Sequence, residues 1–274
     1  MREKFARSLN IGMSTLPIFN YHGVESRTGE YPWLDEERPY VLTLGTFEAQ
    51  LDQLLAQGFQ SLSSGQLGAW LAGPPEGHKS VVLTFDDGHM SHYEHVAGAL
   101  ERRGLKGIFF IPVGLVGERN RMNWDHMKAL LSRGFEIGSH GMKHIPLTNL
   151  SHHELWKEMS QSKKILEGQL GIQVNSFSVP RGFYQLRIRE VALELGYQFV
   201  FTSRFDVNQM GEDQFRLNRL AIKSNHSLGS FSKMIHGKLG PIRMIERAKE
   251  VARRFLNPSF YDSLAELKRS LSHG

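Results

Sequence analysis

An apolar run ends in two adjacent carboxylates at Val81-Val82-Leu83-Thr84-Phe85-Asp86-Asp87-Gly88. Neighbouring side chains on a regular strand face opposite ways, so Asp86 and Asp87 can converge only if the strand stops there. Two close carboxylates then invite either a cation or a shared proton, and the plainer alternative is an ordinary Asp-Gly turn. A second apolar run enters a polar segment at Phe135-Glu136-Ile137-Gly138-Ser139-His140-Gly141-Met142-Lys143-His144. His140 and His144 have the i, i+4 spacing that puts two imidazoles on one side of a helical turn, where they could clamp one metal ion. An Asp from another strand end would complete a two-His, one-carboxylate set with positions open to water, which suits a catalytic rather than a structural metal. The alternative here is a pair of surface histidines. The chain has no cysteine, which excludes thiolate zinc sites, disulfides and a Cys nucleophile together.

Strand ends carry such sites in parallel α/β folds, and the elements around these residues read that way. Strands are expected at 17–21, 81–85, 107–111, 135–138, 176–179, 198–202 and 220–222. Helices are expected at 46–57, 92–103, 124–132 and 151–170, with weaker ones at 186–195 and 228–236. Ser151 and Glu154 have capping-box spacing, and Gly58, Gly104 and Gly134 stand where helices would stop. The expected fold is α/β: a single distorted or incomplete (β/α) barrel of about seven parallel strands, residues 1–240, followed by a basic helical extension, residues 241–274.

At 274 residues and 40% hydrophobic content the chain can bury one large core. The N-terminus lacks an unbroken apolar stretch and a small-residue cleavage site, so a soluble, cytoplasmic protein without a signal peptide is expected. The net charge of +5 comes from interleaved basic and acidic residues, the pattern of a solvated surface. Nucleic acid is not an expected partner, because the basic residues do not alternate with aromatics. The basic C-terminal helices suit peripheral contact with an anionic membrane, packing on the barrel's outer wall being the alternative.

The sequence resembles the polysaccharide deacetylases with the NodB homology domain, carbohydrate esterase family 4. The resemblance rests on Thr84-Phe85-Asp86-Asp87-Gly88, on Gly138-Ser139-His140 through His144, on Asn123-Trp124-Asp125 through Gly134, and on their order from about Pro17 to Ser203. It implies that Asp86 is the base, that Asp87, His140 and His144 hold one divalent metal ion, and that the substrate is an N-acetylated glycan. Zn²⁺ suits those ligands best, although Co²⁺, Ni²⁺ and Fe²⁺ accept them too.

The family's third motif, Arg-x-Pro-aromatic-Gly, is altered here to Ser178-Val179-Pro180-Arg181-Gly182. The Arg that supports the base is missing from its usual place. The backbone N–H at Arg181, shaped by Pro180 and Gly182, remains a candidate oxyanion donor, and the Arg181 side chain could meet an anionic substrate or stay solvated. A late Leu-x-His motif is absent, but Phe19-Asn20-Tyr21-His22-Gly23-Val24 is similar to the early Tyr-His element of some biofilm-polysaccharide deacetylases, which makes His22 the general acid. A structural His22 is the alternative, with His226 and His236 next in line. His89, His92, His95, His126, His152 and His153 read as surface, and Trp33, Tyr40 and Tyr184 as sugar-stacking or, more often, packing residues. The expected function is hydrolysis of an amino-sugar N-acetyl amide in a polysaccharide or cell-envelope precursor. A deacylase of another small N-acyl compound and a catalytically impaired carbohydrate-binding homologue are the alternatives.

Overall fold

The computed structural model describes residues 15–240, 242–246 and 248. Its strands are β1 (Thr15–Leu16), β2 (Ile18–Tyr21), β3 (Gly23–Glu25), β4 (Val41–Thr43), β5 (Phe59–Ser61), β6 (Lys79–Phe85), β7 (Ile108–Ile111), β8 (Glu136–Ser139), β9 (Ser176–Ser178), β10 (Phe199–Phe201), β11 (Asn208–Gln209) and β12 (Leu220–Ala221). The helices are α1 (Leu44–Ala56), α2 (Ser64–Ala72), α3 (Ala97–Glu101), α4 (Trp124–Ser132), α5 (His152–Leu170), α6 (Leu186–Glu194) and α7 (Leu228–Ile235). Parallel strands run in the order β10-β9-β8-β7-β6-β2-β12, with β5 beside the first half of β6. This is a curled, incomplete barrel, as the βα alternation requires. Between its two outer strands the segment Leu217 to Arg219 bridges the gap, with Leu217 N–H on the Val200 carbonyl at 2.9 Å and Arg219 N–H on the Arg204 carbonyl at 3.1 Å.

Period-two alternation sorts the strand side chains into two clusters. Phe19, Tyr21, Leu83, Phe85, Phe109 and Phe177 join the larger one with the helices, and Phe85 stacks on Phe109 with centroids 4.8 Å apart. Ile18, Val82, Ile108, Phe110, Phe199 and Phe201 form the smaller one with Leu67, Trp70 and Leu71 of α2. Continuing the inward face toward the carboxyl ends brings Asn20 on β2, Thr84 and Asp86 on β6, and Ser178 on β9, all buried. The lumen therefore changes from apolar to polar where the strands end.

All seven expected strands and six expected helices are present, with ends shifted by a residue or two. One helix differs in kind: residues His92–Val96 form a π-turn that leads into the short α3. The Ser151 capping box forms, and Gly58, Gly104 and Gly134 each take positive φ after a helix. Six elements escaped the pattern: β1, β3, β4, β5 and β11, each of two or three residues, and α2, whose Gly65 and Gly68 weaken helical propensity. The expected C-terminal extension lies mostly outside the described residues. Residues 242–246 are helical and approach the barrel through Arg243 to Asp206 at 3.1 Å and Lys223 to Glu246 at 2.8 Å. Among the described residues, no helix is long and apolar enough to cross a membrane.

Candidate active site

Asp86, at the carboxyl end of β6, is 3% exposed and takes hydrogen bonds from three other strands or strand approaches. Asn20 Nδ2 and the Ser178 hydroxyl each donate to Oδ2 at 3.1 Å. Arg219 clamps the carboxylate bidentately, with Nη1 on Oδ1 and Nη2 on Oδ2, both at 2.8 Å. Burial alone would raise the Asp86 pKa, but the Arg219 charge, helped by His140, pulls it down to about 2. The carboxylate is therefore held ionised and aimed.

Asp87 turns away from β6 because its φ of 74° is left-handed, followed by Gly88 at 60°, where a side chain would add strain. Its Oδ1 lies 3.4 Å from His140 Nε2 and 3.1 Å from His144 Nε2. One ligand atom from each of these three residues lies within 4.8 Å of the others. His140 Nδ1 donates to the Ser178 carbonyl at 2.8 Å, which places the ring proton there and leaves the Nε2 lone pair facing Asp87. Asp87 Oδ1 is buried and has no hydrogen-bond partner. An acceptor oxygen facing imidazole lone pairs needs a cation or a proton between them, and one carboxylate with two imidazoles is a donor set that fits a divalent metal.

The expected helical turn between the two histidines is not there. Residues 140–144 belong to no helix; Gly141 at φ 75° and His144 at φ 55° coil the chain instead, leaving the ring centroids 5.0 Å apart. The residues were readable from spacing, their conformation was not.

A cavity of about 720 Å³ joins these groups, a size in the range of small-molecule sites, and His22, Tyr40, Arg181 and Tyr184 also line it. His22 Nδ1 is buried without a hydrogen-bond partner, and its ring packs on Tyr40 at 4.9 Å. Burial lowers the His22 pKa, while the Asp87 and Asp86 charges oppose that by drawing it up. The Pro180-Arg181-Gly182 turn reaches the cavity with Arg181 at φ 55°. His226 and His236 do not line the cavity, and His236 bonds Gln57 at 2.8 Å.

Two sequence readings need correction. His89 and His92 are fully buried, not on the surface. His89 lies 3.8 Å from Asp87 Oδ2 and beside Arg121, while His92 bonds the His22 carbonyl through Nε2, so both back the site from below. Trp33 is buried, donating its indole N–H to Glu25 at 3.0 Å, which is the packing role expected more often for it.

Sequence reasoning also missed Arg219. It stands between Leu217-Asn218 and Leu220-Ala221-Ile222, and an Arg at the entry of a short apolar run was the available signal. It is 1% exposed, and its remaining bonds go to the Thr202 carbonyl, Thr84 and Ser178. Here a guanidinium from the barrel seam occupies the role that the altered third motif left vacant, with Ser178 as its small neighbour. Arg219→Ala should strand a buried carboxylate and cost about 3–5 kcal/mol of stability. The Asp86 pKa should then rise, because only the weaker His140 and His22 charges are left to oppose burial, and the stability lost as pH falls from about 4 toward 2 should shrink. Chemical denaturation at several pH values checks both; unchanged stability would remove Arg219 as the partner.

Carboxylates and imidazoles gather at the strand ends of a parallel barrel, where such folds place their sites, and comparison with known proteins gives the kind of chemistry. Residues 73–200 match the polysaccharide deacetylase family model. YxkH of Bacillus subtilis (strain 168), assigned as a polysaccharide deacetylase, is 26% identical over 80% of this chain and 76% of its own. The peptidoglycan-N-acetylglucosamine deacetylase of Bacillus cereus is 31% identical over 47% of this chain and 59% of its own. Among solved structures, the Streptococcus pyogenes deacetylase PplD in complex with acetate superposes with TM-score 0.73 at 23% identity, over 81% of this chain and 99% of that one. IcaB from Ammonifex degensii does so with TM-score 0.71 at 24% identity, over 81% and 97%; at these identities the likeness speaks for the fold. Through residues 73–200 the chain is similar to the polysaccharide deacetylases of carbohydrate esterase family 4, whose members hydrolyse amides of N-acetylglucosamine polymers.

Proposed function

We propose that this chain removes the N-acetyl group from an amino sugar within a polysaccharide or cell-envelope glycan, with Asp87, His140 and His144 holding one divalent ion, zinc by preference. The observation that carries the reading is the unpartnered Asp87 Oδ1 facing two imidazoles, beside an ionised Asp86 in one cavity. When bound, the ion supplies a water of lowered pKa and polarises the acetamide carbonyl. Asp86 accepts the proton of the attacking water, and the Arg181 peptide N–H steadies the developing oxyanion. His22 hands a proton to the departing amine, without which an amine leaves poorly. The Arg219 clamp on Asp86 favours an active site over a binding-only homologue, since the support that the third motif lacks is supplied from elsewhere.

Acetate release from a panel of N-acetylated oligosaccharides by zinc-loaded protein tests the proposal. Release from glycans but not from small N-acyl amino compounds is expected; the opposite preference would establish the small-molecule deacylase, and no release from any would favour the binding homologue.

The role of His22 separates amides from esters. His22→Gln should slow an N-acetyl substrate by a factor on the order of 10² or more and flatten the basic limb of kcat/KM, yet spare an activated aryl acetate, whose leaving group departs unprotonated. Equal losses on both substrates would make His22 structural.

A further inference from the structure

His140 and His144 reach one point although the chain between them has no regular structure, and groups from other elements hold that chain in place. Glu158, on the buried face of α5 and 6% exposed, accepts the backbone N–H of Met142 at 2.7 Å and of Lys143 at 2.6 Å, both on Oε1. The Gly141 N–H goes to the Ser139 hydroxyl at 3.2 Å, which is tied in turn to Ser162 of α5 at 2.8 Å. From the opposite side, Val113 and Gly114 N–H groups take the carbonyls of Gly141 and Met142 at 2.9 and 2.8 Å. The two middle peptides, Gly141–Met142 and Met142–Lys143, are thus fixed through both their donors and their acceptors. Gly141 permits the approach, since a Cβ there would stand 3.1 Å from Glu158 Oε1.

The geometry points to Glu158 as the positioning residue that sets His144 as a metal ligand. His144 keeps a left-handed φ of 55°, and a non-glycine residue holds such a conformation only where its surroundings over-determine it. Packing alone does not ask for a carboxylate: Leu155, Met159 and Leu166 already anchor the same face of α5, and an apolar side chain would bury there at lower cost. What the carboxylate adds is two N–H groups bound in register, which orient the last peptides before the His144 ring. The role rests on the reading of Asp87, His140 and His144 as the metal site.

Zinc affinity of the full chain, measured by competition with a chromogenic chelator, tests this without recourse to activity. Glu158→Ala should weaken zinc roughly tenfold or more, the scale of lost outer-sphere support. Glu158→Gln, whose carbonyl oxygen can accept the same two N–H groups, should stay within about threefold of wild type. Leu166→Ala, on the same face but away from the loop, should lower the melting temperature with zinc affinity unchanged. Should Glu158→Ala not fold, Glu158→Asp, one methylene too short to reach, should show the same loss. Wild-type affinity in the Ala or Asp variant, failure of Gln to rescue, or an equal loss in Leu166→Ala would overturn the assignment. A wild-type chain that binds no zinc would instead remove the metal reading beneath it.

Discussion

His140→Ala should leave the purified protein with almost no bound zinc and no measurable deacetylation. In the proposed site the imidazole is one of three protein ligands among the described residues, and losing it would leave the ion with too few strong donors. It is also the best oriented of them, because its Nδ1 is fixed on the Ser178 carbonyl and its ring is 2% exposed. A freed Asp87, left with His144 at 3.1 Å, cannot rebuild the set from the opposite side. Elemental analysis after dialysis against zinc should fall from about one ion per chain to near zero, with the melting temperature no longer responding to zinc. A full complement of zinc in His140→Ala would take that residue out of the site.

Asp86→Asn should show the reverse pairing, zinc retained and turnover lower by a factor on the order of 10² or more. The amide keeps the shape of the side chain but has one acceptor oxygen where the carboxylate serves Asn20, Ser178 and both Arg219 nitrogens. A stability loss of about 1–3 kcal/mol should therefore accompany the kinetic loss. The pH dependence has a definite sign. With a pKa held near 2, Asp86 is ionised throughout the working range, and the stability its ionisation contributes is lost only as pH falls from its ordinary value of about 4 toward 2. Asp86 therefore sets no acid limb of its own within the working range. Turnover close to wild type would reduce Asp86 to a turn residue.

Much of this site was legible because its residues follow apolar runs directly. The Asp86-Asp87-Gly88 turn is a local event: the strand ends, the backbone goes left-handed, and the carboxylates diverge into different tasks. The histidine pair was legible in identity, yet i, i+4 spacing suggested a helix where long-range hydrogen bonds impose a coil. Arg219 was not legible, because the clamp joins positions 133 apart and exists only when the seam of the barrel closes. His89 and His92 looked like surface residues for a similar reason. Their burial comes from the π-turn at His92–Val96 and from Arg121, neither of which leaves a periodic trace. Ser178 read as a defect in a motif; beside Arg219 it is the small donor that completes the hydrogen bonding of the Asp86 carboxylate.

The most direct measurement is acetate release from an N-acetylated oligosaccharide by protein stripped with a chelator and then titrated with zinc. The account predicts no release from the stripped chain, a linear return as zinc is added, and a plateau at about one equivalent per chain, the stoichiometry of a single three-ligand site. Full release from the stripped chain with chelator present, or a rate indifferent to added metal, would contradict it.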